Sequence, residues 1–326
     1  MNQLYPLKFA PLCKDKIWGG SKLKDIFSKE GASSAAGESW ELSGYEGDES
    51  VVNNGFLAGN NLVELIEVYM GDLVGDKIYD KFGLSFPLLF KIIDANDKLS
   101  IQVHPWDEVA MDRHQSFGKT EMWYVVDADP GSELIIGFKK DCTREEYLLA
   151  LNEGRVEELL QPVPVKKGDV FFIPAGLVHA IGKGVVVAEI QQTSDITYRI
   201  YDYKRVDDQG KERDLHTAEA LDVINFNGSP DPGTAYEAKA NEVCELVSCE
   251  YFTTNMLVFN QTIGRSYVSL DSFVAYMCLE GAFSIVTGDS VTAVKTGETV
   301  LIPAIIDEVK LKPATAEVKL LEVYIA

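Results

Sequence analysis

Apolar residues along this chain cluster in short runs of branched and aromatic side chains, and Gly, Pro or Asp bound most of the runs. Such runs are typical of β-strands, whereas amphipathic helices repeat their apolar positions every three to four residues. Short, evenly spaced strands favour antiparallel sheets over a doubly wound fold. The runs that predict strands are LSIQVHP (99–105), TEMWYVVDA (120–128), SELIIGF (132–138), VFFIP (170–174), VVVAEIQQ (185–192), FVAYMCLEG (273–281), AFSIVTG (282–288), TVLIP (299–303) and VKLLEVYIA (318–326).

Three other segments have the spacing of helices. Residues 60–74 place apolar side chains at helical intervals. Residues 143–160 open with Thr143 and Glu146, a capping-box spacing in which each side chain satisfies a free backbone N–H. A third, short helix is predicted at 215–224. The fold is therefore expected to be mainly β, with helical insertions in the N-terminal half.

One phrase of the sequence occurs twice, as GDVFFIPAGLVHA at 168–180 and as GETVLIPAIIDEV at 297–309. The two copies align without a gap, but His179 falls opposite Glu308. Matching Gly and Pro positions predict the same strand–turn–strand corner in each copy. We therefore expect one small antiparallel barrel in each half, joined by the Gly-, Pro- and Asn-rich segment 225–242.

The charge balance narrows the classes of partner. The 326 residues include 51 Asp and Glu against 30 Lys and Arg, a formal net charge of −21. Nucleic acids and anionic membranes are bound by clustered cations, so neither is an expected partner. Five cysteines without a Cys-x-x-Cys pair, no apolar run of membrane-spanning length and no signal-peptide pattern at the N-terminus predict a cytoplasmic protein. The oligomeric state is left open.

Four polar residues stand out against the apolar strands. Gln102 and His104 lie two apart in a predicted strand and therefore share a face. Glu121 enters an apolar strand, and His179 ends the first copy of the repeated phrase. Each residue alone is ordinary. Together, two imidazoles, a carboxylate and an amide oxygen suit a divalent metal of zinc type, while iron and manganese stay open.

The motifs around these residues resemble a known family. The spacing Gly168-x5-Pro174-x-Gly176-x2-His179 matches the second motif of the cupin superfamily, whereas the first cupin motif usually reads His-x-His where this chain has Gln102-x-His104. QVHP followed by GKTEMWYV resembles the type I phosphomannose isomerases in their short bacterial form. The resemblance is close over the first 225 residues and loose beyond them. Further matching stretches are WGG (18–20), GESWELS (37–43), FPLLFKIIDA (86–95) and ITYRIYDYKR (196–205).

The resemblance implies two cupin-type barrels (jelly rolls). Residues 1–230 would form a metal-binding catalytic domain with helical insertions, and residues 240–326 a degenerate barrel without metal. It implies a metal-dependent interconversion of mannose 6-phosphate and fructose 6-phosphate through an enediol-type proton transfer. The implied cofactor is one Zn²⁺ per chain, other divalent metals being possible. Its implied ligands are Gln102, His104, Glu121 and His179.

The resemblance also implies the residues that meet the substrate. Arg199, Lys119 and Glu189 match active-site positions, and Lys91 matches a pocket lysine. Glu38 and Trp40 are expected to line the same pocket or to pack beside it. Two roles stay open for Arg199, which either binds phosphate or joins an ion-pair network with the nearby Asp195, Asp202 and Asp207. Two roles also stay open for Glu189, as a base or as an orienting group. His114 and His216 are not expected to be ligands.

Two other functions stay open at this point. Two histidines and a carboxylate also form the triad of iron oxygenases, which do not need phosphate-binding cations. A cupin that binds a sugar phosphate without converting it would keep the metal and Arg199 but would not need Lys119 and Glu189 as acid–base groups.

Overall fold

The computed structural model describes residues 3–206, 209–229, 231–288 and 290–326. The strands before residue 205 are β1 (Leu7–Lys8), β2 (Leu12–Gly20), β3 (Ala36–Leu42), β4 (Gly44–Tyr45), β5 (Asp48–Glu49), β6 (Leu88–Ala95), β7 (Ile101–Val103), β8 (Glu121–Ala128), β9 (Glu133–Phe138), β10 (Leu160–Pro164), β11 (Val170–Ile173), β12 (His179–Ile181), β13 (Val185–Gln192) and β14 (Tyr198–Tyr201). The later strands are β15 (Val243–Ser248), β16 (Thr253–Phe259), β17 (Ile263–Ser266), β18 (Val274–Glu280), β19 (Ala282–Thr287), β20 (Ser290–Lys295), β21 (Thr299–Ile302), β22 (Glu308–Pro313) and β23 (Val318–Tyr324).

The helices all precede residue 224 in the described part of the chain. They are α1 (Lys22–Asp25), α2 (Leu62–Tyr69), α3 (Gly71–Val74), α4 (Asp76–Phe82), α5 (Asp107–His114), α6 (Arg144–Asn152) and α7 (Thr217–Val223), with 3₁₀ turns at Gly55–Leu57 and Val156–Glu158. None of these helices is long and apolar enough to cross a bilayer.

Local backbone geometry shortens two of the predicted helices. The helix expected at 60–74 divides into α2 and α3 because Met70 adopts a positive φ of 47°. The capping box of the helix expected at 143–160 is present, with the Glu146 amide donating to Thr143 Oγ1 at 3.1 Å. This helix nevertheless ends at Asn152, since Gly154 adopts φ 70°, a left-handed conformation that ends helices.

Four antiparallel sheets contain most of the strands. Sheet I has the order β11-β8-β13-β6-β3-β2, and sheet II has the order β10-β9-β12-β7-β14. Sheet III is β1-β21-β18-β23-β16-β15, and sheet IV is β17-β22-β19-β20. Sheets I and II share one apolar core, and sheets III and IV share another. Each half of the molecule is therefore a sandwich of two sheets.

Sheet I is covered on both faces. Along β13, Val185 and Val187 belong to the core shared with sheet II, whereas Val186 and Ile190 belong to a core shared with sheet III. This explains why its strands are almost continuously apolar in sequence instead of alternating. The same alternation turns Glu189 toward sheet II, and it turns Lys91 on β6 and Glu121 on β8 the same way.

The mainly β prediction is confirmed, but the two closed barrels are not, because each half is a pair of separate sheets. The halves are also in close contact. Strand β1 near the N-terminus pairs with β21, with Leu7 opposite Leu301. The rings of Phe86 and Phe273 meet across the halves at 4.6 Å between centroids. The described part of segment 225–242 forms no helix or ladder strand, and Pro230 lies outside the described residues.

The repeated phrase forms the same unit in each half, β11–β12 and β21–β22. Its first glycine has a positive φ in both copies, 95° at Gly168 and 83° at Gly297. The register around the phrase matches as well. Trp123 is paired with Phe171 and Glu189 on its two sides, and Tyr276 is paired with Val300 and Glu322. Because Phe171 and Val300 occupy the same place in the phrase, Glu322 is the counterpart of Glu189.

The two counterparts have different surroundings. Glu322 is fully buried in the C-terminal sandwich. Arg265 binds its two carboxylate oxygens at 2.7 and 2.9 Å, Tyr267 donates to it at 2.6 Å and Asn255 donates at 2.9 Å. A guanidinium of the same chain therefore neutralises the carboxylate of the second sandwich.

The shared core predicts that the two halves unfold together. All four tryptophans lie in the N-terminal half, at residues 18, 40, 106 and 123, so tryptophan fluorescence follows only that half. We expect Phe273→Ala, in the C-terminal half, to lower the free energy of unfolding by about 3–5 kcal/mol, the usual cost of deleting a buried aromatic ring. Urea titration should show that loss in tryptophan fluorescence and in far-ultraviolet circular dichroism alike.

Phe56→Ala is the matched control, because that ring is 47% exposed. It should change the free energy of unfolding by less than about 0.5 kcal/mol. If Phe273→Ala shifted the circular dichroism transition and left the fluorescence transition in place, the halves would be independent folding units.

Candidate active site

Two histidines and a glutamate meet between sheets I and II. Glu121 begins β8 of sheet I, His179 begins β12 of sheet II, and His104 directly follows β7 of sheet II. One ligand atom from each lies within 4.8 Å of the others. The two Nε2 atoms are 3.2 Å apart, and they lie 3.6 and 3.5 Å from the carboxylate oxygens of Glu121. The facing sheets thus bring together residues that are up to 75 positions apart.

Hydrogen bonds fix which nitrogen of each imidazole faces the cluster. His104 Nδ1 lies 2.8 Å from the Ile196 carbonyl, and His179 Nδ1 lies 2.8 Å from the Leu177 carbonyl. A carbonyl only accepts, so each Nδ1 carries the proton and each Nε2 presents a lone pair to the cluster. Burial lowers the pKa of His104 well below its usual value and that of His179 to about 4, which keeps both rings neutral.

The glutamate of the cluster lacks a donor. Both carboxylate oxygens of Glu121 are buried, and no described residue hydrogen bonds to them. Burial, followed by the negative charge of Glu189, raises the pKa of Glu121 to about 8. Converging lone pairs without a donor are costly in a protein interior. A divalent cation fits this set of two nitrogens and a carboxylate, because it accepts all of the converging lone pairs at once.

Gln102 lies beside the cluster. It is the cross-strand partner of His179, and its amide nitrogen is 3.4 Å from His179 Nε2. Its amide oxygen accepts a hydrogen bond from Ser100 at 3.4 Å. The amide has to turn over before its oxygen faces the cluster. Gln102 therefore stays a predicted ligand.

A polar cleft of about 250 Å³ adjoins the cluster. Five of the predicted substrate and catalytic residues line it, and Gln102 lines it as well. Its lining also includes two cations and several polar residues that the sequence did not indicate. The lining residues are Lys16, Trp18, Glu38, Lys91, Ile93, Leu99, Ser100, Gln102, Lys119, Trp123, Ile181, Glu189, Asp195, Thr197, Arg199 and Arg213.

Glu189 is held by one hydrogen bond and one ion pair at the inner wall of the cleft. Trp123 Nε1 donates to its Oε2 at 2.8 Å, and Lys91 Nζ lies 3.2 Å from its Oε1. Burial acts to raise the pKa of Glu189, but the positive charges of Lys91 and Lys119 outweigh it and hold that pKa below the usual value. The pKa of Lys91 is raised in turn, because Glu189 and Glu38 outweigh its own burial. Both groups are therefore charged at neutral pH.

Glu38 lines the cleft, whereas Trp40 does not. The Trp40 ring is fully buried, and its Nε1 donates to Glu38 Oε2 at 2.8 Å. Lys16 Nζ lies 3.0 Å from Glu38 Oε1. Burial opposes ionisation of Glu38, but Lys91, Lys16 and the Trp40 hydrogen bond together lower its pKa to about 2. Trp40 is thus placed to orient Glu38, one layer behind the cleft.

The remaining predicted residues are cations. Lys119 is buried, with its Nζ 3.7 Å from Glu121 Oε2. Arg199 on β14 is the cross-strand partner of Gln102 and donates from Nη1 to the Asp214 carbonyl at 2.9 Å. No described carboxylate lies within 4 Å of Arg199; Asp202 instead pairs with Arg205 and Arg213. Asp207 lies outside the described residues.

Sequence reasoning missed Lys16 and Arg213 as lining residues. Arg213 lies in the charged stretch KERDL, which has the composition of a solvated loop, so nothing local distinguishes it. His114 and His216 lie outside the cluster. His114 Nε2 is 2.9 Å from the hydroxyl of Tyr198, and His216 Nδ1 accepts from the Arg199 amide at 3.1 Å directly before α7.

Two family models match the chain: Phosphomannose isomerase type I, catalytic domain, over residues 6–140, and Mannose-6-phosphate isomerase, cupin domain, over residues 242–324. The mannose-6-phosphate isomerase ManA of Bacillus subtilis is 38% identical over 313 residues, which cover 94% of this chain and 96% of that protein. The mannose-6-phosphate isomerase of Streptococcus mutans is 38% identical over 302 residues, 91% of this chain and 92% of that protein. The crystal structure of the Bacillus subtilis mannose 6-phosphate isomerase has a TM-score of 0.86 at 32% identity, covering 98% of this chain and 99% of that one.

The cluster geometry predicts the effect of removing one imidazole. We expect His179→Ala to weaken binding of a divalent metal by at least about 100-fold, since even the groups behind metal ligands contribute about 10–100-fold. Metal content after dialysis, measured by mass spectrometry, and a zinc titration would show the loss. His114→Ala is the matched control and should keep its metal. A full equivalent of metal in His179→Ala would remove His179 from the ligand set.

Proposed function

The chain belongs to the type I phosphomannose isomerases, and we propose that its cleft interconverts mannose 6-phosphate and fructose 6-phosphate. One observation carries the proposal. The cluster of His104, Glu121 and His179 adjoins a cleft lined by five cationic side chains and three carboxylates, in a chain of net charge −21. A local excess of positive charge beside a metal-binding cluster suits a sugar that carries a phosphate.

The proposed cofactor is zinc, bound by His104, Glu121 and His179 with Gln102 as a fourth ligand. Imidazole nitrogens with a carboxylate and an amide oxygen suit zinc, and the same set also suits iron or manganese, since ligand type alone does not select the metal. When bound, such a cation supplies a Lewis acid that stabilises negative charge developing on the sugar oxygens. The buried, donor-free carboxylate of Glu121 supports this assignment.

The chain's own residues have to move one proton between neighbouring carbons. In the proposed reaction a base removes the proton from C2 of the open-chain aldose while the carbonyl oxygen at C1 gains a proton, which gives an enediol. The enediol is then protonated at C1 while the C2 hydroxyl loses its proton, which forms the C2 carbonyl of the ketose. We propose Lys119 and Glu189 for these transfers, because both are buried at the cleft and lie close to the cluster. Glu189 is ionised and held by Trp123 and Lys91, so it can accept a proton without first losing one.

Arg199 and Lys91 are proposed to bind the substrate, with Glu38 positioned by Trp40 as a further contact. Arg199 enters the cleft beside Gln102, and its Nε is buried without a partner among the described residues. A guanidinium matches a phosphate in geometry as well as in charge. The phosphate would then lie on the sheet II side of the cleft.

The two halves are proposed to differ in role. Residues 1–230 carry the candidate cluster and the cleft, and residues 240–326 form a unit that does not bind metal. Support comes from the sequence, which has no histidine after His216, and from the replacement of His179 by Glu308 in the second copy of the phrase.

The proposed location is the cytoplasm. All five thiols are free, which suits a reducing compartment.

Turnover by metal-loaded protein tests the proposal directly. Zinc-loaded protein should convert mannose 6-phosphate to fructose 6-phosphate in a coupled assay, and protein stripped with a chelator should regain activity when zinc is returned. Absence of conversion by the loaded protein would contradict the isomerase. Oxygen consumption with the same sugar would indicate an oxygenase, and tight binding without conversion would indicate a binding protein.

The role of Glu189 has its own test. Glu189→Gln keeps the size of the side chain and an oxygen that can accept from Trp123. We expect kcat to fall about 10²–10⁴-fold, the usual contribution of a general acid or base, with metal content unchanged. A variant that kept wild-type kcat would show that Glu189 only orients its neighbours. Glu153→Gln, in an exposed ion pair with Arg155, is the control and should leave kcat unchanged.

A further inference from the structure

Two arginines stand side by side in the cleft. Arg199 Nη1 donates to the backbone carbonyl of Asp214 at 2.9 Å, and Asp214 directly follows Arg213. Both guanidiniums line the cleft. Burial, and after it the positive charge of Arg213, lowers the pKa of Arg199. Neighbouring cations of this kind repel each other, and an anion bound between them would relieve the repulsion.

The second arginine is held rigidly at one edge. Asp202 accepts from Arg213 Nε at 2.7 Å and from Nη2 at 2.6 Å, a fork-to-fork contact. Asp202 is itself buried and is also bound by Arg205. The Arg213 side chain keeps 29% of its surface exposed. Such a guanidinium is oriented before any ligand arrives, which lowers the entropy lost on binding.

The order of groups along the cleft fits an elongated ligand. Gln102 is the cross-strand partner of His179, Arg199 is the cross-strand partner of Gln102, and Arg199 binds the carbonyl of Asp214, the neighbour of Arg213. Arg213 is thus connected to the cluster through Arg199 and Gln102, and both of these residues also line the cleft. A sugar that reacts at C1 and C2 and carries its phosphate on C6 could place its reacting end at the cluster and its phosphate at the two arginines.

We propose that Arg213 forms, together with Arg199, the site that binds the phosphoryl group of the substrate, and that Asp202 positions Arg213 for this role. The ligand is a phosphomonoester dianion. The proposal rests on the proposed isomerase function for the identity of the sugar, but the anion site itself is testable without turnover. It assigns substrate selection to the charged segment 211–214, far in sequence from the metal-binding motifs.

The test compares two arginines that bind the same aspartate. Arg213 lines the cleft and Arg205 does not. In the zinc-loaded, full-length protein, Arg213→Gln should raise the KM for mannose 6-phosphate and the Kd for inorganic phosphate by about 10–100-fold, with kcat changed less than about threefold. Arg213→Lys, which keeps the charge but loses the fork, should lie between it and the wild type. Arg205→Gln should leave both constants unchanged.

Each outcome decides the point. Unchanged phosphate affinity in Arg213→Gln would overturn the proposal, and so would an equal loss in Arg205→Gln, which would mean that both variants act only by freeing Asp202. Calorimetry with inorganic phosphate separates this proposal from the isomerase. If phosphate binding depended on Arg213 while the wild type failed to convert mannose 6-phosphate, the result would support the anion site and contradict the proposed reaction. Equal melting temperatures of the three variants would confirm that they fold.

Discussion

Burial of sheet I on both of its faces is the constraint on which the site depends. One face packs on sheet II and the other on sheet III, so an ionisable side chain on this sheet has little water to stabilise its charge. Lys91, Glu121 and Glu189 all point to the face that meets sheet II. Lys91 and Glu189 form an ion pair at 3.2 Å, and Trp123 donates a hydrogen bond to Glu189. Glu121 accepts no hydrogen bond from a described residue, and its ion pair with Lys119 is longer, at 3.7 Å, so a bound divalent cation would complete it.

The same constraint explains how charge is distributed between the two sides of the cleft. Sheet I supplies buried groups, of which Lys91 and Glu189 are paired with each other, and such fixed positions suit proton transfer. Sheet II and the segment after β14 supply arginines that are partly exposed and held by backbone carbonyls or by Asp202. The groups proposed for proton transfer lie on one wall and the arginines proposed to bind phosphate lie on the other, which gives the cleft a direction from the cluster toward solvent.

Sequence reasoning found the features whose signal is local. Short apolar runs bounded by Gly and Pro predicted the strands, and Thr143 with Glu146 predicted a cap that is present. His179 and Glu121 were detectable because a motif of fixed spacing surrounds each of them. The helix expected at 143–160 was too long because the left-handed conformation of Gly154 ends it early. Whether a barrel closes depends on pairing between strands distant in sequence, and the position of Arg213 in the cleft depends on the path of a loop. Neither feature has a signal in the local sequence. Trp40 is fully buried and does not line the cleft, and its burial depends on packing that the sequence does not show.

The buried pair of Arg265 and Glu322 shows how a buried charge is balanced in the C-terminal sandwich. Glu322 stands where Glu189 stands in the first sandwich, and each has a cationic partner in the chain, Arg265 or Lys91. The difference lies at Glu121, because its counterpart in the second sandwich is the apolar Val274. The charge balance of the C-terminal half is therefore complete as soon as the polypeptide is made. In the N-terminal half, the proposed cation has to be acquired from the surroundings and can be lost to them. A shortage of metal in the cell would then silence one half of the molecule and leave the other half, which packs against it through Phe273, as an intact support on which the site can be refilled.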